Sequence, residues 1–298
     1  MKPELVVICG PTAAGKTDAA IRACDALGGE VVSADAVQIY RHLDIGSAKP
    51  SAADQAAARH HLIDVVDPAE RYSAARYVTD AERAIAGIRE QGFVPVVAGG
   101  CGLYIKALIY GLCPAPPADP DLRARLEAAE AEGGAGTLHA ALGPIDPPTA
   151  ARLHPADLVR IVRALEVYQL TGRPISAHQA DHGFARPRYR AVVWGLDPGR
   201  ESLTERINAR VDRMMEEGFL AEVSWLLDQG YDRQTPGLTC PGYRELAAHL
   251  DGDLALDEAV RLIQRSHRRY ARRQRTWFKK TPGLTWYSGA DDLPLGSL

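Results

Sequence analysis

No apolar run in the 298-residue chain approaches the ~20 residues needed to cross a bilayer, so no transmembrane helix is expected. The apolar stretch from Leu5 to Cys9 is too short for a signal-peptide core, and a cytoplasmic location is the expectation. Cysteine is scarce: Cys9, Cys24, Cys101, Cys113 and Cys240 are the five, and no two form a C-x-x-C pair. An odd, scattered set argues against a disulfide framework or a zinc site. Internal repeats and a long low-complexity tail are missing too. One absence is local. No acidic residue falls between Arg261 and Lys280, a stretch holding Arg261, Arg265, Arg268, Arg269, Arg272, Arg273, Arg275, Lys279 and Lys280. A net charge of -3 would not suggest a nucleic-acid partner. A segregated basic block does.

What is present is ordinary for a globular protein, with 46% hydrophobic and 24% charged residues. Residues 4–9, 30–33, 61–66 and 93–98 read as strands, and residues 16–27 and 73–91 as helices, the first ended by Gly28 and Gly29. Apolar strands alternating with helices predict a parallel sheet covered on both faces. The pattern breaks at Cys113-Pro-Ala-Pro-Pro-Ala-Asp-Pro120, which leads into a helical region over residues 121–172. Residues 190–196 read as a return to the sheet. The expected fold is α/β: a P-loop NTPase-like parallel sheet flanked by helices over residues 1–112 and 190–298, with a helical insertion at 113–189.

Gly10-Pro11-Thr12-Ala13-Ala14-Gly15-Lys16-Thr17 fits G-x-x-x-x-G-K-[ST], placed after a strand and opening a helix. In such a loop, glycines let backbone N–H groups and a helix N-terminus face a di- or triphosphate. Lys16 supplies a point charge, and the Thr17 hydroxyl is a candidate Mg2+ ligand. The motif selects a phosphate-bearing ligand or nucleotide without naming the chemistry. Asp35 follows the second strand and belongs at the same crevice, where ligands of parallel sheets bind. It reads equally well as a general base, a metal ligand or a turn residue. Gly99-Gly100-Cys101-Gly102 after the fourth strand would allow a ligand close to the backbone; a tight turn is the plainer reading.

In combination these segments resemble the tRNA dimethylallyltransferase (IPP transferase) family. The resemblance rests on the phosphate loop, Asp35-Ala36-Val37-Gln38-Ile39-Tyr40, Leu43-Asp-Ile-Gly-Ser-Ala-Lys-Pro50, His60-His-Leu-Ile-Asp64 and Gly99-Gly-Cys-Gly-Leu-Tyr104. It continues through Pro114–Pro120, Arg160–Glu166, Thr171–Pro174, Arg206–Asp212, Gly242-Tyr-Arg244 and Arg272–Phe278. It runs in order over nearly the whole chain. Ala36 and Cys101 stand where the family carries serine and threonine, Ser47 where it has threonine, and His267 where threonine is common. A thiol is the size of a hydroxyl but a much weaker donor.

The resemblance implies a dimethylallyl diphosphate donor and, as acceptor, the exocyclic amine of the adenosine 3′-adjacent to the anticodon. The tRNA anticodon stem-loop would be the partner, and the protein a monomer. Lys16 and the loop N–H groups would hold the leaving diphosphate with Mg2+, and Asp35 would orient the amine and take its proton. Arg206, Arg210 and Arg213 share a helix face, and Arg210 takes a diphosphate or lid role by resemblance; surface ion pairs are the alternative. By resemblance too, Cys101 lies beside the target base. Asp35, Ala36, Val37, Gln38, Arg123, Val159, Arg160, Ile161, Val162 and Arg163 would touch RNA. Arg261, Arg265, Arg268, Arg272, Arg275 and Lys279 recur at helical spacing and are expected to form one phosphate-facing stripe, with Val260, Ile263, Tyr270 and Trp277 on the core side. A P-loop small-molecule kinase, a free-nucleotide isopentenyltransferase and an RNA-binding protein with a degenerate site are the alternatives.

Overall fold

The computed structural model describes residues 3–297. Its first elements are β1 (Leu5–Cys9), α1 (Lys16–Leu27), β2 (Gly29–Ser33), α2 (Ala52–Ala57), β3 (His60–His61), α3 (Ala74–Glu90), β4 (Val94–Gly99) and α4 (Gly102–Tyr110). Five helices follow: α5 (Pro120–Gly133), α6 (Thr137–Ile145), α7 (Pro147–Arg152), α8 (Leu158–Thr171) and α9 (Ile175–His182). The chain then forms β5 (Ala191–Leu196), α10 (Arg200–Glu216), α11 (Phe219–Asp228), α12 (Tyr243–Leu250), α13 (Leu256–Phe278) and β6 (Leu284–Tyr287). Tyr110–Pro187 is one compact unit, and the remainder of the described chain is another.

In the larger unit, six strands form one parallel sheet in the order β3-β2-β4-β1-β5-β6. Every residue of β1 is buried, which is why its sequence is a continuous apolar run rather than an alternating one. Val6, Ile8, Val31, Val96, Trp194 and Leu196 pack against Ala19, Ala20 and Ala23 of α1. A second core joins Ile39, Leu43 and Val66 to Val211, Phe219, Val223, Tyr243, Leu246 and Ile263 of α10 to α13. The expected strand at 61–66 is cut short. Leu62 and Asp64 adopt φ of 62° and 58°, which breaks the ladder after His61 and leaves one isolated bridge between Tyr40 and Val66. The edge strand β6 had no counterpart in the sequence reading.

The unit Tyr110–Pro187 has its own core, in which Leu122, Leu126, Leu138, Leu142, Ile161, Val162 and Leu165 are buried together. Asp119 caps α5, accepting the Leu122 N–H at 2.9 Å. At its centre Glu166 has no exposed surface. Arg123 grips its carboxylate in fork fashion, Nε to Oε1 at 2.7 Å and Nη2 to Oε2 at 2.8 Å. Arg163 and the Asp119 N–H complete the set. Burial pushes the Glu166 carboxyl up, but these donors outweigh it and hold it at about 2. Among the described residues no helix is long and apolar enough to cross a membrane.

Candidate active site

The phosphate loop occupies the β1–α1 turn. Ala13 and Gly15 take φ of 64° and 89°, and Gly10 lies where a Cβ would come within 2.5 Å of the Leu196 carbonyl. Left-handed turns of this kind gather backbone N–H groups into an anion-binding concavity, although here the Ala14 N–H donates to the Pro11 carbonyl at 3.3 Å. Lys16 Nζ donates to the Pro11 carbonyl at 2.8 Å, folding the side chain over its own loop. The loop is braced from α13. Gln274, only 5% exposed, accepts the Thr12 N–H at 2.8 Å and donates to the Gly100 carbonyl at 2.9 Å. From α10, Arg210 reaches the Thr12 hydroxyl at 3.4 Å.

These groups line one cavity of about 640 Å³, whose wall includes Thr12, Ala13, Gly15, Lys16, Thr17, Asp35, Ala36, Val37, Gln38 and Arg210. Asp35 does have the turn role: its Oδ1 accepts the Val37 N–H at 2.8 Å and the Gln38 N–H at 3.3 Å. The turn and active-site readings are therefore compatible, because the turn fixes the carboxylate in the cavity wall. Gln38 is held from both sides, by the Ser33 hydroxyl at 3.3 Å and the Ala48 carbonyl at 3.0 Å.

Electrostatics at the site follow from its seclusion. Desolvation pulls the Lys16 ammonium down to about 8; Asp35 opposes that pull and Arg210 adds to it. Lys16 is therefore charged below about pH 8 and loses that charge above it. With a diphosphate substrate, kcat/KM should fall as pH rises through about 8, since this ratio reports the free enzyme. A profile flat from pH 7 to 10 would remove Lys16 from phosphate binding. Burial pushes the Cys101 thiol up to about 12, and nearby Asp35 reinforces it. Cys101 is thus a neutral thiol at physiological pH, with no thiolate character.

The glycines around Cys101 are tightly surrounded by protein. A Cβ on Gly99 would meet the Ala34 carbonyl oxygen at 2.2 Å, one on Gly100 would meet Gln274 at 2.2 Å, and one on Gly102 would meet the Trp277 ring at 2.2 Å. They make room for Ala34, just after β2, and for α13, while Gly99 also lines the cavity. Trp277, expected on the core side, is 40% exposed, and its neighbour Phe278 is buried instead. Tyr270 and His267 also face the cavity, and burial lowers the affinity of His267 for a proton. Gln274 lies inside the Arg272–Phe278 family segment and His267 stands where threonine is common, yet nothing in the sequence marks these two or Tyr270 as site residues.

The basic stripe is only partly as expected. Arg275 binds Asp197 through Nε at 2.7 Å, Arg268 binds Asn208 of α10, and Arg261 pairs with Asp257 one turn back. The acidic and polar partners lie outside the run, so the run alone looked unpartnered. The exposed edge is carried by Arg265, Arg269, Arg272, Arg273, Lys279 and Lys280. Among the residues expected to touch RNA, Val159 is 84% exposed and Arg160 is exposed beside Asp157. The side chains of Ile161 and Val162 are buried in the core of their unit. Arg123 and Arg163 direct their guanidinium groups at Glu166. Arg206 and Arg213 are exposed on α10.

Thr17 stands at the cavity wall beside Lys16, and among the described residues no group of three or more His, Cys, Asp or Glu forms a metal cage. A threonine hydroxyl at the end of a phosphate loop fits a magnesium ion whose other ligands would be phosphate oxygens and water.

A family model described as IPP transferase matches residues 38–281, and one described as isopentenyl transferase matches residues 3–68. The chain is 50% identical over 285 residues to the tRNA dimethylallyltransferase of Geobacter sulfurreducens, covering 96% of this chain and 92% of that one. It is 51% identical to tRNA dimethylallyltransferase 1 of Syntrophotalea carbinolica, with 96% and 91% covered. Among solved structures, the tRNA isopentenylpyrophosphate transferase of Bacillus halodurans aligns with a TM-score of 0.71 at 41% identity, over 96% of this chain and 90% of that one. A eukaryotic dimethylallyltransferase acting on tRNA aligns with a TM-score of 0.80 at 25% identity, over 97% and 75%. None of these relatives is a kinase, the alternative that a phosphate loop alone leaves open. With one family model spanning residues 38–281 and near-full-length relatives at about half identity, the chain belongs to the IPP transferase family.

Proposed function

We propose that this chain is an enzyme that transfers a dimethylallyl group from dimethylallyl diphosphate to the exocyclic amine of the adenosine 3′-adjacent to the anticodon of tRNA. The observation that carries the reading is that Asp35, Lys16, Thr17 and Arg210 line one cavity beside the phosphate loop. The amine nitrogen attacks the allylic carbon, the carbon–oxygen bond to diphosphate breaks, and the amine proton passes to Asp35. Charge grows on the departing oxygens, which loop N–H groups, Lys16 and Arg210 would stabilise. A carboxylate is a weak base, so holding the amine in line matters more than basicity. Thr17, with diphosphate oxygens and water, would hold magnesium, which supplies further neutralisation of the leaving group.

The target base must leave its stack to reach the donor carbon, and anticodon-loop bases are already accessible. On the RNA side, the exposed edge of α13 supplies positive charge without acidic neighbours in its own run. Exchanging both Arg269 and Arg272 for alanine should weaken tRNA binding and flatten its salt dependence by about 1–2 units of log–log slope. Binding titrations from 50 to 200 mM salt decide it, and an unchanged slope takes these arginines off the RNA. The activity itself is tested with labelled dimethylallyl diphosphate, magnesium and unmodified tRNA, followed by nucleoside analysis. Absence of prenylated adenosine, or transfer of label to a free nucleotide instead, would refute the assignment.

A further inference from the structure

The segment Leu43–Pro50 forms one wall of the cavity through Gly46, Ser47, Ala48, Lys49 and Pro50. It has no regular secondary structure, so its shape depends on what holds it. The principal anchor is a carboxylate from another element. Glu222 of α11 accepts three successive backbone N–H groups: Asp44 at 3.0 Å and Ile45 at 2.7 Å on Oε2, and Gly46 at 3.2 Å on Oε1. The Tyr243 hydroxyl donates to the same Oε1 at 2.7 Å. Gly46 is pressed against this anchor so closely that a Cβ would lie 2.1 Å from the Phe219 ring. Three consecutive amides converging on one anion make a stiff clamp, because the acceptor is charged and each donor is fixed by the backbone.

The clamped loop in turn holds the turn that carries Asp35. The Ala48 carbonyl accepts Gln38 Nε2 at 3.0 Å, and the Gln38 N–H donates to Asp35 Oδ1 at 3.3 Å. Lys49, whose side chain is 6% exposed, ties the same loop back to the Tyr40 carbonyl at 3.1 Å and to Asp44 and Asp64. A continuous series of hydrogen bonds therefore runs from Glu222 through the 44–48 backbone and Gln38 to Asp35. The phosphate loop is not in that series; it is braced separately by Gln274 and Arg210.

From this arrangement we infer that Glu222 is a positioning residue for the reaction, setting the Asp35 carboxylate through the Leu43–Pro50 loop without touching either substrate. The inference rests on the proposed transferase reading. Glutamine at this position keeps the size but loses the charge and turns an NH2 group toward donors. Small displacements of a reacting group cost rate steeply, on the order of 10²-fold per ångström. Glu222→Gln should lower kcat by roughly 10- to 100-fold and leave the KM for dimethylallyl diphosphate within about twofold, since the two braces are separate. Tyr243→Phe removes one hydrogen bond to the clamp, keeps the packed ring, and should give the same split at smaller amplitude.

The deciding measurement is a double-mutant cycle in single-turnover kinetics. In an Asp35→Ala background, Glu222→Gln should have almost no further effect, because residues that act as one unit are not additive. Circular dichroism and a thermal melt check that each variant is folded; if Glu222→Gln is not, the cycle is run with Tyr243→Phe. Full kcat in a folded variant overturns the inference, as does a change confined to donor KM or an additive effect without Asp35. Wild-type protein that makes no prenylated adenosine would instead refute the transferase reading, which separates the two failures.

Discussion

Asp35→Asn should fold normally and turn over about 10²- to 10⁴-fold more slowly, the span over which a positioned general base typically contributes. Asparagine is the informative replacement because of what Asp35 already does. Its Oδ1 accepts the Val37 and Gln38 N–H groups, and the amide oxygen of asparagine can accept both. The turn survives, while the charge and the proton-accepting capacity go. Asp35→Ala removes the turn contacts as well, so a larger loss there measures positioning on top of base strength. Donor affinity, read by equilibrium dialysis with labelled diphosphate, should stay nearly constant in the asparagine variant. An asparagine variant with undiminished single-turnover rate would mean that the proton leaves by another route.

The second large effect is on stability and lies in the helical unit. Glu166→Ala leaves two arginines and the Asp119 N–H facing a buried hole. Breaking a buried ion pair by removing one partner typically costs roughly 3–5 kcal/mol. Hydrogen exchange of amides in α5 and α8 should report that loss locally, while β1 and β4 amides change less. The same carboxylate makes the unit acid-sensitive. Its folded pKa is depressed to about 2 from an ordinary 4.5. Its stabilisation is therefore fully present above about pH 4.5 and is lost as pH falls toward 2. An acid unfolding curve of the helical unit that does not shift in Glu166→Gln would contradict this.

Much of the site was readable where chemistry demands contiguous residues. The phosphate loop has to be one uninterrupted segment between a strand and a helix, and so it shows in the sequence. Asp35 was readable by position, since strand ends of a parallel sheet converge. Gln274 and Glu222 were not. Each acts through a fold that brings residues 12, 100 and 274, or 44–46 and 222, side by side, and neither has a local pattern that announces it. The basic block misled for the same reason: Asp197 and Asn208, which occupy Arg275 and Arg268, lie far away in sequence. Ile161 and Val162 sit among arginines in the chain, yet the helical period turns them into the core. The shortened β3 reflects two left-handed residues that an apolar run does not reveal.

Gln274 is one side chain with two hydrogen-bonding ends. One end meets the amide of Thr12 and the other the carbonyl of Gly100, and both grow from the helix whose far edge is lined with arginines. The rim of the anion pocket is thereby hydrogen-bonded to a helix 23 residues long. On the proposed reading, with the prenyl donor in that pocket and RNA along the arginines, any coupling between their two affinities is reciprocal. Whatever factor the first arrival imposes on the second, the second returns to the first unchanged.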